Sequence, residues 1–140
     1  MASNDIINGF DFSALPIRVE LVGRVDSKEW PHFLWNVTFR HAGGFWTFPY
    51  KCGLAHATPS SCLIKSVPIP PSNADILHCV IQDAEAAHQS FDDWCSDLGA
   101  NNDSIKDFRI YRECCESAVH LRKTFTREQL DAMRAALQDY

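Results

Sequence analysis

The chain has 140 residues, of which 46% are hydrophobic and 22% charged, and its formal net charge is −5. These values are ordinary for one soluble globular domain with its own core. They exclude the strongly basic surface that direct nucleic-acid binding needs, and no apolar run approaches the roughly 20 residues that cross a bilayer. We therefore predict a single domain over residues 1–140 that has no membrane partner.

Alternation of apolar and polar residues with period two predicts a three-stranded antiparallel β-meander over residues 15–51. The residues before it are interpreted as a lead-in. Gly23 interrupts the first strand, where it indicates a bulge. The turn at 41–44 contains two glycines, and Pro49 places the last strand at a sheet edge, because proline cannot donate a hydrogen bond to the ladder. The face predicted to pack on helices carries Trp35, Val37, Trp46 and Phe48.

Residues 52–71 form a proline-rich connection, and residues 72–140 carry the signals of about four helices. The fold class is therefore α+β, with the meander packed against the helices. Thr126 and Gln129 match a capping box. The predicted helix starts are Ser72, Ser90, Asp103 or Ser104, and Thr126. The predicted inward residues are Leu77, Val80, Ile81 and Ala84, then Trp94 and Leu98, then Ile105, Phe108, Tyr111, Cys115 and Ala118, with Leu121 extending this set toward Phe125, and finally Leu130, Met133 and Leu137.

Acidic residues are concentrated in the helical part, which holds thirteen of the eighteen Asp and Glu residues. Basic residues follow the acidic stretch, chiefly Arg109, Arg112, Arg122, Lys123 and Arg127. An acidic helical surface repels nucleic acid and attracts a basic partner, although solvated surface is the plainer interpretation. The candidate partner-binding residues are Asp83, Glu85, Asp92, Asp93, Asp97, Asp103 and Asp107.

No phosphate-binding, dinucleotide-binding or hydrolase motif occurs, so we predict no catalytic residue, no cofactor and no enzymatic activity. A small metal-dependent enzyme is the weakest alternative. Cys52, His56 and Cys62 could hold zinc, but the tight Cys pairs of zinc sites are missing. Asp83 and Glu85 lie two residues apart on a helix and so point in different directions. The cysteines are expected to be thiols, and the helical ones, Cys79, Cys95, Cys114 and Cys115, to pack in the core.

Aromatic residues of the predicted sheet, namely Trp35, Trp46, Phe48 and Tyr50, provide an alternative function, because such rings can stack on the bases of single-stranded nucleic acid. That platform needs a basic surround. Residues 1–71 hold six Lys and Arg against five Asp and Glu, a surplus of only one. A sheet face covered by helices explains the same rings, so direct nucleic-acid binding is the less favoured hypothesis.

A pattern of W-C, D-S-I-K, Y-x-x-C-C and L-R-x-x-F-T runs through the helical part. It consists of Trp94, Cys95, Asp103, Ser104, Ile105, Lys106, Tyr111, Cys114, Cys115, Leu121, Arg122, Phe125 and Thr126. With residues 15–20 and 50–54, it resembles a family of small, mostly uncharacterised accessory proteins of bacteriophages and prophages. The resemblance implies the bacterial cytoplasm, and the N-terminus has no pattern of a secretory signal. It further implies a non-enzymatic protein that binds a host protein or defence complex, as anti-CRISPR inhibitors do.

Overall fold

The computed structural model describes residues 6–28, 30–53, 57–58 and 67–140. The strands within these residues are β1 (Ile6–Ile7), β2 (Phe10–Asp11), β3 (Ile17–Val25), β4 (His32–His41), β5 (Gly44–Gly53), β6 (Ala57–Thr58) and β7 (Val67–Pro68). The helices are α1 (Asn73–Ala86), α2 (Phe91–Leu98), α3 (Ile105–Thr124) and α4 (Arg127–Ala136). Strands precede helices, so the predicted α+β class is confirmed.

The main sheet is the predicted antiparallel meander, with the strand order β3-β4-β5. The register between β3 and β4 shifts between Leu21 and Gly23, which confirms the bulge and leaves Val22 as the extra residue. Within the described residues, β5 pairs with β4 alone. This confirms the edge position predicted from Pro49. A second ladder, between β6 and β7, lies in the proline-rich connection.

The core lies between one face of the sheet and the helices, with Phe39 at its centre. The Phe39 ring meets the rings of Trp46, Phe48 and Phe125 edge-on, with centroids 5.4, 5.6 and 6.0 Å away. Val37 belongs to the same cluster, whereas Trp35 packs in a separate one with Phe33 and Cys52. The sheet therefore meets the helices through only part of its aromatic face.

The N-terminal residues form a hairpin that the sequence interpretation treated as a lead-in. Asn8 and Gly9 both have positive φ, at 48° and 86°, which is the geometry of a type I′ turn between β1 and β2. Phe12, just after β2, is completely buried in the core. The Asn8 side chain donates a hydrogen bond to the carbonyl of Ala136 at 2.8 Å, so the hairpin is tied to α4.

The helix starts agree with the predicted caps. Side chains of Ser72, Ser90, Ser104 and Thr126 each accept a hydrogen bond from a backbone N–H in the first turn. Both hydrogen bonds of the Thr126–Gln129 capping box are present. The predicted inner faces of α1 and α4 are buried as well. None of the helices described by the structure is long and apolar enough to cross a membrane.

Candidate functional site

The seven predicted acidic residues are distributed over three regions of the surface. Asp83 and Glu85 lie on α1 and face different recesses, as their spacing predicts. The other five are Asp92, Asp93 and Asp97 on α2, Asp103 in the loop after α2, and Asp107 in the first turn of α3. We call this group of five the acidic corner.

Hydrogen bonds from the connecting loop hold part of the acidic corner together. The backbone N–H of Asn101 donates to Asp107 Oδ2 at 2.9 Å, and Asn102 Nδ2 donates to Asp92 Oδ1 at 3.4 Å. Burial, and then the negative charges of Asp107 and Asp92, raise the pKa of the Cys95 thiol between them. Cys95 is therefore a protonated packing residue, since only a thiolate is a good nucleophile.

Apolar side chains on α2 and α3 are exposed where the sequence predicted inner faces. Leu98, Ile105 and Phe108 are 59%, 73% and 42% exposed, so their assignment to the core was wrong. The physical reason is that α3 buries a different stripe. That stripe consists of Cys114, Ser117 and Leu121, and of these three only Leu121 belonged to the predicted set, where its burial is confirmed.

The short helix α2 covers only one side of the first turns of α3. Trp94 is buried as predicted, and its ring lies 5.6 Å from that of Tyr111. Phe91 meets the edge of Phe108, with ring centroids 5.1 Å apart. The small aromatic cluster that results is too narrow to cover Ile105 or the outer side of Phe108. Exposed apolar groups thus occur on the same two helices as four of the five carboxylates of the acidic corner.

A recess of about 390 Å³, which we call the acidic cleft, lies between β5 and the helices α1 and α3. Its wall is formed by residues 46–50 of the edge strand, and its carboxylates are Asp83, Glu113 and Glu116. Burial and the neighbouring charge of Glu113 raise the pKa of the Asp83 carboxyl. A positively charged group of a partner would relieve this repulsion.

A second recess of about 720 Å³, the basic groove, lies along α1, α3 and α4. Its apolar floor consists of Ala84, Ala118, Leu121, Phe125 and Leu130. Its charged and polar rim consists of Glu85, His88, Arg122, Arg127 and Arg134. The volume is within the range of known ligand pockets, which are also mainly apolar with a few polar groups.

One rim arginine of the basic groove is engaged within the protein. Arg134 Nε donates to Glu85 Oε1 at 3.0 Å, and its Nη1 donates to Asp131 Oδ1 at 3.5 Å. Arg122 and Arg127 form no ion pair with any residue that the structure describes. The groove therefore carries more positive than negative charge.

The cysteines only partly follow the prediction. Cys95 and Cys114 are buried and Cys115 is half-buried, but Cys79 is exposed, so its assignment to the core was wrong. Cys79 lies on the side of α1 that faces the acidic cleft, where its Sγ is 3.8 Å from the hydroxyl of Tyr50. Burial and a nearby aspartate raise the pKa values of Cys52 and Cys114 to about 11, which keeps both thiols protonated at neutral pH.

The zinc hypothesis involves residues that the structure does not describe. His56 and Cys62 lie outside the described residues, and Cys52 is a buried free thiol. In the described ranges, no group of three or more His, Cys, Asp or Glu side chains is arranged to hold a metal ion. The set Cys52, His56 and Cys62 therefore stays a prediction.

The rings proposed for nucleic-acid stacking lie on the side of the sheet that faces the core. Trp35 is buried, and Trp46, Phe48 and Tyr50 are half-buried against the main cluster. Phe45 is exposed on the opposite face. No observation favours stacking on the predicted rings, and that alternative stays a prediction from the sequence.

Both recesses include charged residues that were not among the predicted site residues. Glu113 and Glu116 belong to the acidic cleft, and Arg134 to the basic groove. The sequence did show a run of arginines after the acidic stretch, but it did not indicate that some of them lie around one recess.

Comparisons with protein-family models, with characterised proteins and with solved structures found no match for this chain.

Proposed function

We propose that this protein is a non-enzymatic binding protein that docks through the acidic corner onto a basic surface of a partner protein. One observation carries the proposal: Leu98, Ile105 and Phe108 are exposed on the two helices that also carry four of the five carboxylates of the acidic corner. Exposed apolar groups bordered by charge are typical of protein interfaces, where the apolar part supplies affinity and the charge supplies specificity and association rate.

The resemblance to phage accessory proteins supports a more specific proposal about the identity of the partner. A protein of that kind acts in the bacterial cytoplasm on host machinery. Carboxylates suit a surface that normally binds the phosphates of nucleic acid. We therefore propose a host nucleic-acid-binding complex as the partner, with a CRISPR effector as the leading candidate and inhibition as the result.

The test uses charge reversal at two positions that do not hold the fold. Asp97 lies in the last turn of α2, where a lysine is favoured by the helix dipole, and the Asp103 side chain has no partner among the described residues. The variant D97K/D103K should therefore stay folded. We expect it to lose the protein that co-purifies with the wild type from a bacterial host, as identified by mass spectrometry.

A matched control reverses two exposed charges on another surface. Glu128 and Asp139 lie in and after α4, away from the acidic corner. The variant E128K/D139K should retain the partner. Equal capture by the wild type and D97K/D103K, with circular dichroism showing both folded, would exclude the acidic corner as the docking surface.

The apolar contribution is tested separately by Ile105→Ser. Because Ile105 is exposed, this substitution should leave the melting temperature nearly unchanged. We expect the partner to dissociate at least about fivefold faster, since buried apolar area at an interface mainly slows dissociation. An unchanged dissociation rate by surface plasmon resonance would remove Ile105 from the interface.

A further inference from the structure

We propose that the basic groove is a binding site for a small amphipathic anion, a free molecule with an apolar body and one carboxylate head. The proposal does not depend on the acidic corner, which involves other residues. It rests on two features of the groove that require different parts of the ligand. The floor is apolar and so favours an apolar group, and the rim carries a positive charge that favours a negative one.

The floor of the groove belongs to the core, so its shape is fixed. Leu121 and Leu130 are almost completely buried, and Phe125 packs its ring against Phe39. These residues come from two helices and from the junction between α3 and α4, and Ala84 adds the small side chain of α1. Because Ala84 and Ala118 are small, the recess stays open between larger neighbours.

The rim supplies the charge that selects an anion. Arg122 and Arg127 have no ion pair within the described ranges, whereas Arg134 is already held by Glu85 and Asp131. Two like charges on one recess repel each other, and a bound carboxylate would offset that repulsion. Arginine suits this role because its planar guanidinium can donate two parallel hydrogen bonds to a carboxylate.

Charge also separates this recess from the acidic cleft. The acidic cleft carries Asp83, Glu113 and Glu116, and so excludes an anion. The basic groove has one carboxylate, Glu85, whose charge is offset by Arg134 at 3.0 Å. An anion that binds this protein should therefore be found at the groove.

The experiment compares three probes that divide the ligand into its parts. Octanoate has the apolar body and the head, 1-octanol has the body alone, and acetate has the head alone. We expect octanoate to bind, 1-octanol to bind at least about tenfold more weakly, and acetate not to bind, because charge-assisted hydrogen bonds add to the apolar contact. Calorimetry gives the affinities, and amide chemical shifts locate the site at Ala84, Ala118 and Leu130.

Two variants assign the binding to the groove. R122Q/R127Q removes the unpaired charges from exposed positions, and we expect it to weaken octanoate at least about tenfold without changing 1-octanol. Ala118→Phe fills the recess and should weaken both. The control K106Q/R109Q removes two exposed cations of α3 that lie outside the groove, and it should leave the affinity for octanoate unchanged.

Several results would overturn the proposal. These are octanoate binding that survives R122Q/R127Q, 1-octanol binding as tightly as octanoate, shifts that map elsewhere, or no octanoate binding at millimolar concentration. Binding only to an acidic peptide, or only to phosphatidylglycerol vesicles, would also reject a free small molecule as the occupant. R122Q/R127Q alters exposed side chains, so its interpretation does not depend on a core residue.

Discussion

The acidic cleft and the basic groove are built on the same two helices, yet they present opposite charges. On α1, Asp83 faces the cleft, and Ala84 and Glu85 face the groove. On α3, Glu113 and Glu116 belong to the cleft, and Arg122 to the groove. Each helical residue is rotated by about 100° from the last, so neighbours can serve different surfaces. The charge of a surface therefore depends on the direction in which the helical side chains point, as well as on the positions of the residues in the chain.

The largest expected effect is at the floor of the basic groove. Leu121→Ala removes a buried side chain that also belongs to the core, and we expect the free energy of unfolding to fall by about 3 kcal/mol. Urea denaturation measures this loss. Val119→Ala on the same helix is the control and should change stability by less than about 0.5 kcal/mol, because Val119 is exposed. Similar losses in both variants would contradict the assignment of the floor to the core.

A smaller effect is expected at the N-terminus of α4, the helix that supplies Leu130 and Arg134 to the basic groove. Thr126→Ala removes the side-chain oxygen that caps α4, and we expect a loss of about 1 kcal/mol in unfolding free energy. Thr126→Ser keeps the hydroxyl and should restore most of it. If the capped helix shapes the groove, octanoate binding should weaken in the alanine variant only, and equal stability of the two variants would argue against the cap.

At the end of the acidic cleft, the Trp46 ring stacks on the His120 ring with centroids 4.7 Å apart. Burial, Lys123 and His41 lower the pKa of His120 below the ordinary 6.5, against an opposing contribution from Glu116. The unfolded chain then binds the proton more readily, so stability falls as pH drops through 6.5. His120→Phe keeps a ring against Trp46 and should reduce this pH dependence. An identical pH profile of melting temperature in wild type and variant would refute it.

The smallest expected effects are changes in stability of opposite sign when two carboxylates on α1 are neutralised. Asp83→Asn should raise stability by less than about 0.5 kcal/mol at pH 7, because burial and Glu113 disfavour the ionised form. Glu85→Gln removes an exposed ion pair with Arg134 and should lower stability by a similar amount. Because the raised pKa lets the folded protein protonate Asp83 above pH 3.8, the gain from Asp83→Asn should shrink as pH falls toward 3.8. Chemical denaturation at pH 7 and pH 4 measures both; equal signs would contradict the comparison.

Local signals predicted much of the fold. The Thr126–Gln129 capping box and the period-two pattern of β4 are fixed by residues close together in the chain, and both appear in the structure. The N-terminal hairpin had an equally local signal, the Asn8–Gly9 pair between apolar residues, and was missed. The order of strands and helices was therefore accessible from sequence alone.

Local sequence signals could not predict the orientation of α3 or the two recesses. Helix α3 has more than one apolar stripe, and only its contact with α1 and the sheet decides that Cys114 is buried and Ile105 exposed. The recesses combine side chains from three elements, so no spacing within one segment indicates them. The predicted acidic residues were assigned by position in the chain, and the fold separates Asp83 and Glu85 from the acidic corner.

The hydrogen bond between Asn8 and Ala136 joins residues 128 positions apart and has a consequence for biosynthesis. A chain is made from its N-terminus, so the hairpin and Phe12 emerge long before their partners on α4. The hairpin can make this hydrogen bond only after translation has passed Ala136. Docking of the β1–β2 hairpin on α4 is therefore expected to be a late step in folding, and contacts of such long range slow the folding of a chain.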